Sequence, residues 1–218
     1  MIASILAIGY KVPELREIMI NANFEDFMDD RVGLLRDAVS IMSKYGYCEG
    51  KVLREFLENI VKKKTGNALY TFADLYKDRK IKLVIIGCNV NRRREIRFSR
   101  EIYPNMSIVN AIRISMALPL VFRPIRMNKE YYVDGGIINN YPMEVFHGVT
   151  VGIKLLSVNE KEKVDNIVDY ISTVVNISAN KAGHDDRSIV VITRGMEANE
   201  LMEEGRKAVD DWLGTGTT

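Results

Sequence analysis

Two blocks of fixed spacing constrain this chain more than its composition does. The later one, Tyr131-Tyr-Val-Asp-Gly-Gly-Ile-Ile-Asn-Asn-Tyr-Pro142, opens with a short apolar, aromatic run that reads as a strand. It stops at a carboxylate, two glycines and a polar turn closed by proline. Asp134 is therefore expected at a strand end. In open α/β sheets ligands bind at that edge, and residues without a Cβ let backbone or substrate come close to the carboxylate. Taken alone, Asp134-Gly135-Gly136 is an ordinary turn. What sets it apart is the earlier block, Ser115-Met-Ala-Leu-Pro-Leu-Val-Phe-Arg-Pro124, which starts nineteen residues before Asp134.

Ser107 is expected to begin a helix with Ile108, Ala111, Ile112 and Met116 on one face, ended by Pro119. Ser115 then reads as a helix-interior serine bonded to a backbone carbonyl, since a helix interior does not present a hydroxyl as a strained turn does. Pro119 and Pro124 fix the path into the Asp134 strand and do no chemistry. Upstream, Lys82 to Val90 is a near-continuous apolar run of the kind a central strand buries on both faces. The turn from Asn91 to Arg94 and the alternating Glu95 to Ser99 make it one arm of a hairpin.

Helical spacing is predicted for residues 2–9, with Ile2, Ile5 and Leu6 on one side and Ala3 and Ala7 as a flat face, and after Pro13 through Leu15, Ile18 and Met19. It recurs at Leu35 to Met42 and Leu53 to Val61, and in a short helix capped by Thr71. Beyond Pro142, Val149 to Leu156 and Ser188 to Thr193 read as strands, and Val164 to Val175 and Leu201 to Trp212 as helices. Strands alternating with helices predict an α/β sheet covered on both faces. One domain over residues 1–213 and a loose tail at 214–218 are expected.

Charge and cysteines narrow the function classes. The net charge is +2 with basic and acidic residues interspersed, which gives no reason to expect nucleic acid. The runs Lys62 to Lys64 and Arg92 to Arg94 read as solvated faces or turns, with anionic lipid headgroups as the alternative contact. Cys48 and Cys88 have no metal or redox spacing, so a reduced, cytoplasmic setting is the simplest. Glu25, Asp26, Asp29 and Asp30 lack the ligand spacing of a calcium loop. No apolar run reaches the ~20 residues that cross a bilayer, and the Ile2 to Ile8 run lacks the basic start of a signal peptide.

Together the two blocks resemble the patatin-like phospholipase family. Ser115, Ala117, Pro119, Phe122 and Pro124 hold the spacing of its first motif, and Asp134, Gly135, Gly136, Asn139 and Pro142 that of its second. The resemblance implies a three-layer, α/β hydrolase-related sandwich with a mostly parallel sheet flanked by helices. It implies a Ser-Asp dyad that cleaves lipid esters, with Asp134 as general base, no cofactor and no metal. The substrate would be a phospholipid or acylglycerol, and peripheral contact with a membrane is left open. Within such a fold the three successive helices before Lys82 would form an insertion, either an acyl-chain entrance or a plain cover.

Part of that pattern has no counterpart in these residues. No serine has glycine two positions before it, so nothing matches the family's Gly-X-Ser-X-Gly elbow, and its glycine-rich oxyanion loop has no match either. Met1 to Tyr10 resembles the helix that follows the elbow, so the first strands are expected to be missing and the chain to be N-terminally incomplete and inactive alone. A complementing N-terminal segment or self-association would then be its partner. The alternative is a non-catalytic lipid- or protein-binding module. His147 and His184 sit in no motif, and the base role of Asp134 is what the resemblance implies. An aspartate near its ordinary pKa of ~3.9 is a weak base at neutral pH, so the role requires partial desolvation.

Overall fold

The apolar run around Ile85 becomes a strand buried at every position, and the rest of the site is built against it. The structure, a computed structural model, describes residues 1–28, 43–148, 150–157, 170, 173, 174, 177, 188–193 and 198–215. Two compact units emerge, Met1–Asn139 and Asn140–Thr218. The first contains, in order, α1 (Ile2–Ala7), α2 (Val12–Asn21), β1 (Gly46–Cys48), α3 (Lys51–Thr65), α4 (Phe72–Arg79), β2 (Ile85–Asn89), β3 (Arg94–Phe98), α5 (Ile108–Ser115), β4 (Leu120–Phe122), β5 (Ile125–Met127) and β6 (Glu130–Asp134). The second contains β7 (Gly152–Ser157), β8 (Ser188–Thr193) and α6 (Ala198–Thr215).

The α/β class is what the chain folds into. A four-stranded sheet runs in the order β3-β2-β6-β5, and all its neighbours are antiparallel. Short connections dictate two of these pairings: four residues join β2 to β3 and two join β5 to β6, too few for a parallel crossover. Asn128 and Lys129 both take positive φ, 51° and 67°, as a two-residue hairpin turn with the right twist requires. Parallel pairing joins β1 to β4 and β7 to β8.

One face of the sheet is covered by α5, with α3 packed behind it. Helix α5 starts where the Ser107 side chain accepts the Asn110 N–H at 3.2 Å, and its Ile108, Val109, Ala111, Ile112 and Ile114 are all buried. It ends at Ser115, four residues before Pro119, so Ser115 is the last helical residue and not an interior one. The residue preceding a proline is driven out of the α region, and the last turn tightens through an Ala117 N–H bond to the Ile114 carbonyl at 3.0 Å. Helix α3 buries Leu53, Leu57, Ile60 and Val61, one stripe at helical spacing. It stops at Gly66, where φ is +79° and the N–H returns to the Lys62 carbonyl at 2.8 Å. The Lys62 to Lys64 run occupies its last turn, where cations suit the helix dipole. Lys64 also pairs with Glu14 at 2.9 Å and lies 4.7 Å from the centre of the Tyr10 ring, so it ties α3 to α2 rather than only facing water.

Helix α1 turns differently from the expected face. Ser4, Ile5, Ala7 and Ile8 are buried, while Ile2 and Leu6 are 51% and 39% exposed. The helix has only six residues before Gly9, at φ +107°, redirects the chain, so a single narrow stripe reaches the core. In the second unit β7 and β8 pair over six residues and α6 packs on β8. That helix continues through Gly214 to Thr215, into the stretch expected as a tail. The expected helix at Leu35 to Met42 lies outside the described residues, as do Asp29, Asp30, Val149 and His184, and of the one expected at Val164 to Val175 only residues 170, 173 and 174 are described.

Candidate functional site

Asp134 ends β6, as its glycine pair foretells, and three backbone contacts set its position. Its N–H donates to the Ala117 carbonyl at 3.0 Å, which joins the two sequence blocks directly. Its side chain accepts the Gly136 N–H at 2.8 Å, and a 3-10 turn over Gly135–Ile137 follows. Gly135 is required there by closeness: a Cβ would lie 2.6 Å from Ile86 Cγ2 and 2.7 Å from the Ile86 carbonyl atoms. Gly87 pairs with Asp134 across the ladder. A Cβ on Gly87 would lie 2.7 Å from Phe98 Cε2 and 2.8 Å from Ile114 Cγ2, so glycine lets helix and strand close up beneath the carboxylate.

Burial dominates the electrostatics. It pushes the Asp134 carboxyl above the ordinary aspartate value, against the Gly136 N–H bond and the Met1 ammonium, which both favour the charged form. The Met1 ammonium is itself held below its ordinary value by burial, with the Asp134 charge opposing. The start of α1 thus lies within electrostatic reach of the carboxylate. At the other end of the same strand Glu130 has the opposite surroundings. Its carboxylate accepts from Arg92 Nε at 2.6 Å, Asn89 Nδ2 at 2.7 Å and the Tyr132 hydroxyl at 3.1 Å. The Arg92 and Asn89 bonds hold Glu130 below the usual carboxylate range despite some desolvation.

The other motif residues divide among structural tasks. Asn139 Nδ2 donates to Glu95 Oε2 at 2.7 Å, fastening the end of the second block to β3. Phe122 packs against the core, with the Arg113 guanidinium 5.2 Å from its ring centre. Ser115 is half-buried, and among the described residues no hydrogen bond joins it to Asp134. Pro119 and Pro124 line an apolar groove of about 400 Å³ together with Tyr131 and Val133. Alternation along β6 puts that groove on the opposite face of the strand from Tyr132 and Asp134. His147 is exposed in the second unit.

Three features of the site escape a sequence reading. Gly87 inside an apolar run was the available signal for a close approach. The Glu130 network joins residues 41 and 38 positions apart and leaves no local pattern. The groove draws on residues from Tyr45 to Ile137 and has no motif. Among the described residues, no group of three or more His, Cys, Asp or Glu side chains could hold a metal ion, and no helix is long and apolar enough to cross a membrane.

The sequence profile of the family described as Patatin-like phospholipase matches residues 1–147. "Uncharacterized protein R571" of Acanthamoeba polyphaga mimivirus is 30% identical over 213 residues, covering 87% of this chain and 68% of that protein. "Probable lipid hydrolase 463L" of Invertebrate iridescent virus 6 is 30% identical over 112 residues, covering 51% of this chain and 37% of that one. Among solved structures, VipD from Legionella pneumophila aligns with a TM-score of 0.48 at 19% identity, over 82% of this chain and 39% of its own. The chain thus spans 68% of the first relative's length, and under two fifths of the other two.

Proposed function

Since this chain belongs to the patatin-like phospholipase family, we propose that it serves lipid ester hydrolysis and that Asp134 is the base of a Ser-Asp dyad. The observation that carries the reading is a carboxylate at a strand end, lifted above its ordinary pKa by burial and lying beside the start of α1. A raised pKa makes an aspartate a better proton acceptor near neutral pH. A serine hydroxyl delivered to that position would lose its proton to Asp134 as its oxygen attacks the acyl carbonyl. The same proton would then pass to the leaving alkoxide, and water would release the acyl group from the serine by the reverse sequence.

No serine within these 218 residues has the glycine two positions before it that the family's nucleophile motif carries. Ser115 closes a helix and makes no bond to Asp134 among the described residues. We therefore place the serine and the oxyanion donors on a segment joined to, or bound beside, the Met1 end of α1. Phospholipid and acylglycerol esters are both substrates to assay.

The test compares the 218-residue chain alone with the same chain joined at Met1 to a strand and Gly-X-Ser-X-Gly turn. The expected result is no fluorophosphonate labelling and no ester turnover alone, and both in the joined protein. Stoichiometric labelling of the chain alone would overturn the proposal.

A further inference from the structure

The face of β6 that turns away from Asp134 has its own recognition chemistry. Tyr131 and Val133 point into the apolar groove, whose wall is continued by Val90 and Leu120 and closed near the glycine turn by Ile137. Tyr45 stands over one end, its ring edge-on to Tyr131 with centroids 5.5 Å apart. Polar groups are almost absent from this lining, yet Val90 and Tyr45 remain 47% and 54% exposed, so water reaches an apolar surface. Leu120 holds its place in the wall with φ +68°, in the left-handed region that a branched residue rarely adopts.

Arg126 brings a cation to the Tyr131 side of the groove. Arg126 pairs with Tyr131 across the β5–β6 ladder, on the same face, and its guanidinium lies 5.8 Å from the centre of the Tyr131 ring. Its side chain is exposed, and among the described residues no carboxylate forms an ion pair with it. The turn of the same hairpin contributes Lys129, also exposed. A trough of about 400 Å³ is at the small end of ligand sites and large enough for one flexible chain. Positive charge beside such an apolar trough selects an amphiphile with a negative head, and the planar guanidinium fork of Arg126 matches a carboxylate.

We propose that this groove binds one long-chain fatty acid anion, with its carboxylate on Arg126 and its chain along Val90, Leu120, Tyr131 and Val133. The ligand is of the class that lipid ester cleavage releases, and in that respect the proposal rests on the hydrolase reading. The site itself uses none of the dyad's residues and stands on the far face of the strand from Asp134.

Calorimetric titration of the folded 218-residue chain with laurate below its micelle concentration tests this, with dodecyltrimethylammonium as a probe of the same length and opposite charge. The expected result is saturable binding of one laurate per chain and none of the cation. Arg126→Glu should weaken laurate about tenfold or more, as loss of a charge-assisted bond does. Val90→Trp, a substitution at a surface position that fills the trough, should abolish binding, while Asp134→Asn leaves the affinity unchanged. Circular dichroism of each variant confirms the fold. Absence of saturable laurate binding, equal binding of the cation, or affinity insensitive to both Arg126→Glu and Val90→Trp would overturn the site. Laurate binding with these sensitivities, together with no ester turnover in the protein joined to its serine segment, would sustain the site and remove the hydrolase reading.

Discussion

Strand β6 carries a carboxylate at each end, and its five residues place them in opposite worlds. Glu130 sits in a ring of donors from Arg92, Asn89 and Tyr132 that holds its pKa down. Asp134 has one backbone donor and the Met1 ammonium in its favour, and burial outweighs them. A carboxylate satisfied by fixed partners fastens a hairpin and has no proton affinity to spare. One left short of partners in a desolvated place can take a proton from a neighbour. Where environments push two acids apart in this way, the raised one is the candidate base.

The largest expected effect separates the two by activity. In the protein joined to its serine segment, Asp134→Asn should lower ester turnover by about 10²- to 10⁴-fold, the range for loss of a general base. Glu130→Gln should leave it within a few-fold, measured as kcat/KM on a soluble ester. Equal losses from both would break the comparison.

Next in size is the support beneath Asp134. Gly135→Ala forces a methyl onto the Ile86 backbone and should cost about 1–3 kcal/mol, read from chemical denaturation. An unchanged midpoint would mean that the turn can move, and with it the carboxylate.

The smallest effects are in stability against pH, and their signs oppose. Glu130 is depressed in the fold, so its contribution is present above the unfolded value of ~4.3 and lost as pH falls through the folded one. Glu130→Gln should therefore lower Tm at neutral pH and match the parent in acid. Asp134 is raised, so the protonated form carries no penalty below the unfolded value of ~3.9, and stability is lost as pH rises through the folded value. Asp134→Asn should raise Tm at neutral pH and also converge with the parent in acid. Thermal melts at neutral and acid pH check both signs.

Much of this arrangement was legible in the residues. The strand ending at Asp134, the β2–β3 hairpin and the caps at Thr71 and Ser107 all follow from local chemistry, and Thr71 accepts the Asp74 N–H at 3.1 Å as expected. Strands β1, β4 and β5 did not, because three residues carry too little periodicity to separate a strand from a turn. Gly46 to Cys48 reads as a break until β4 supplies its partner. The buried face of α1 was also hidden: Ser4 lies inside and Leu6 outside because of where Gly9 turns the chain, which hydrophobicity alone does not encode. Asp134 was identifiable by its motif, whereas the desolvation that gives it a use depends on Gly87, Ile114 and the start of α1, brought together only by the fold.

The most direct measurement is a carbon-detected NMR titration of both side-chain carboxyls of β6 in the unmodified chain. The account predicts that Asp134 takes up its proton at a higher pH than free aspartate and Glu130 at a lower pH than free glutamate. An Asp134 carboxyl titrating at or below the ordinary aspartate value would contradict it.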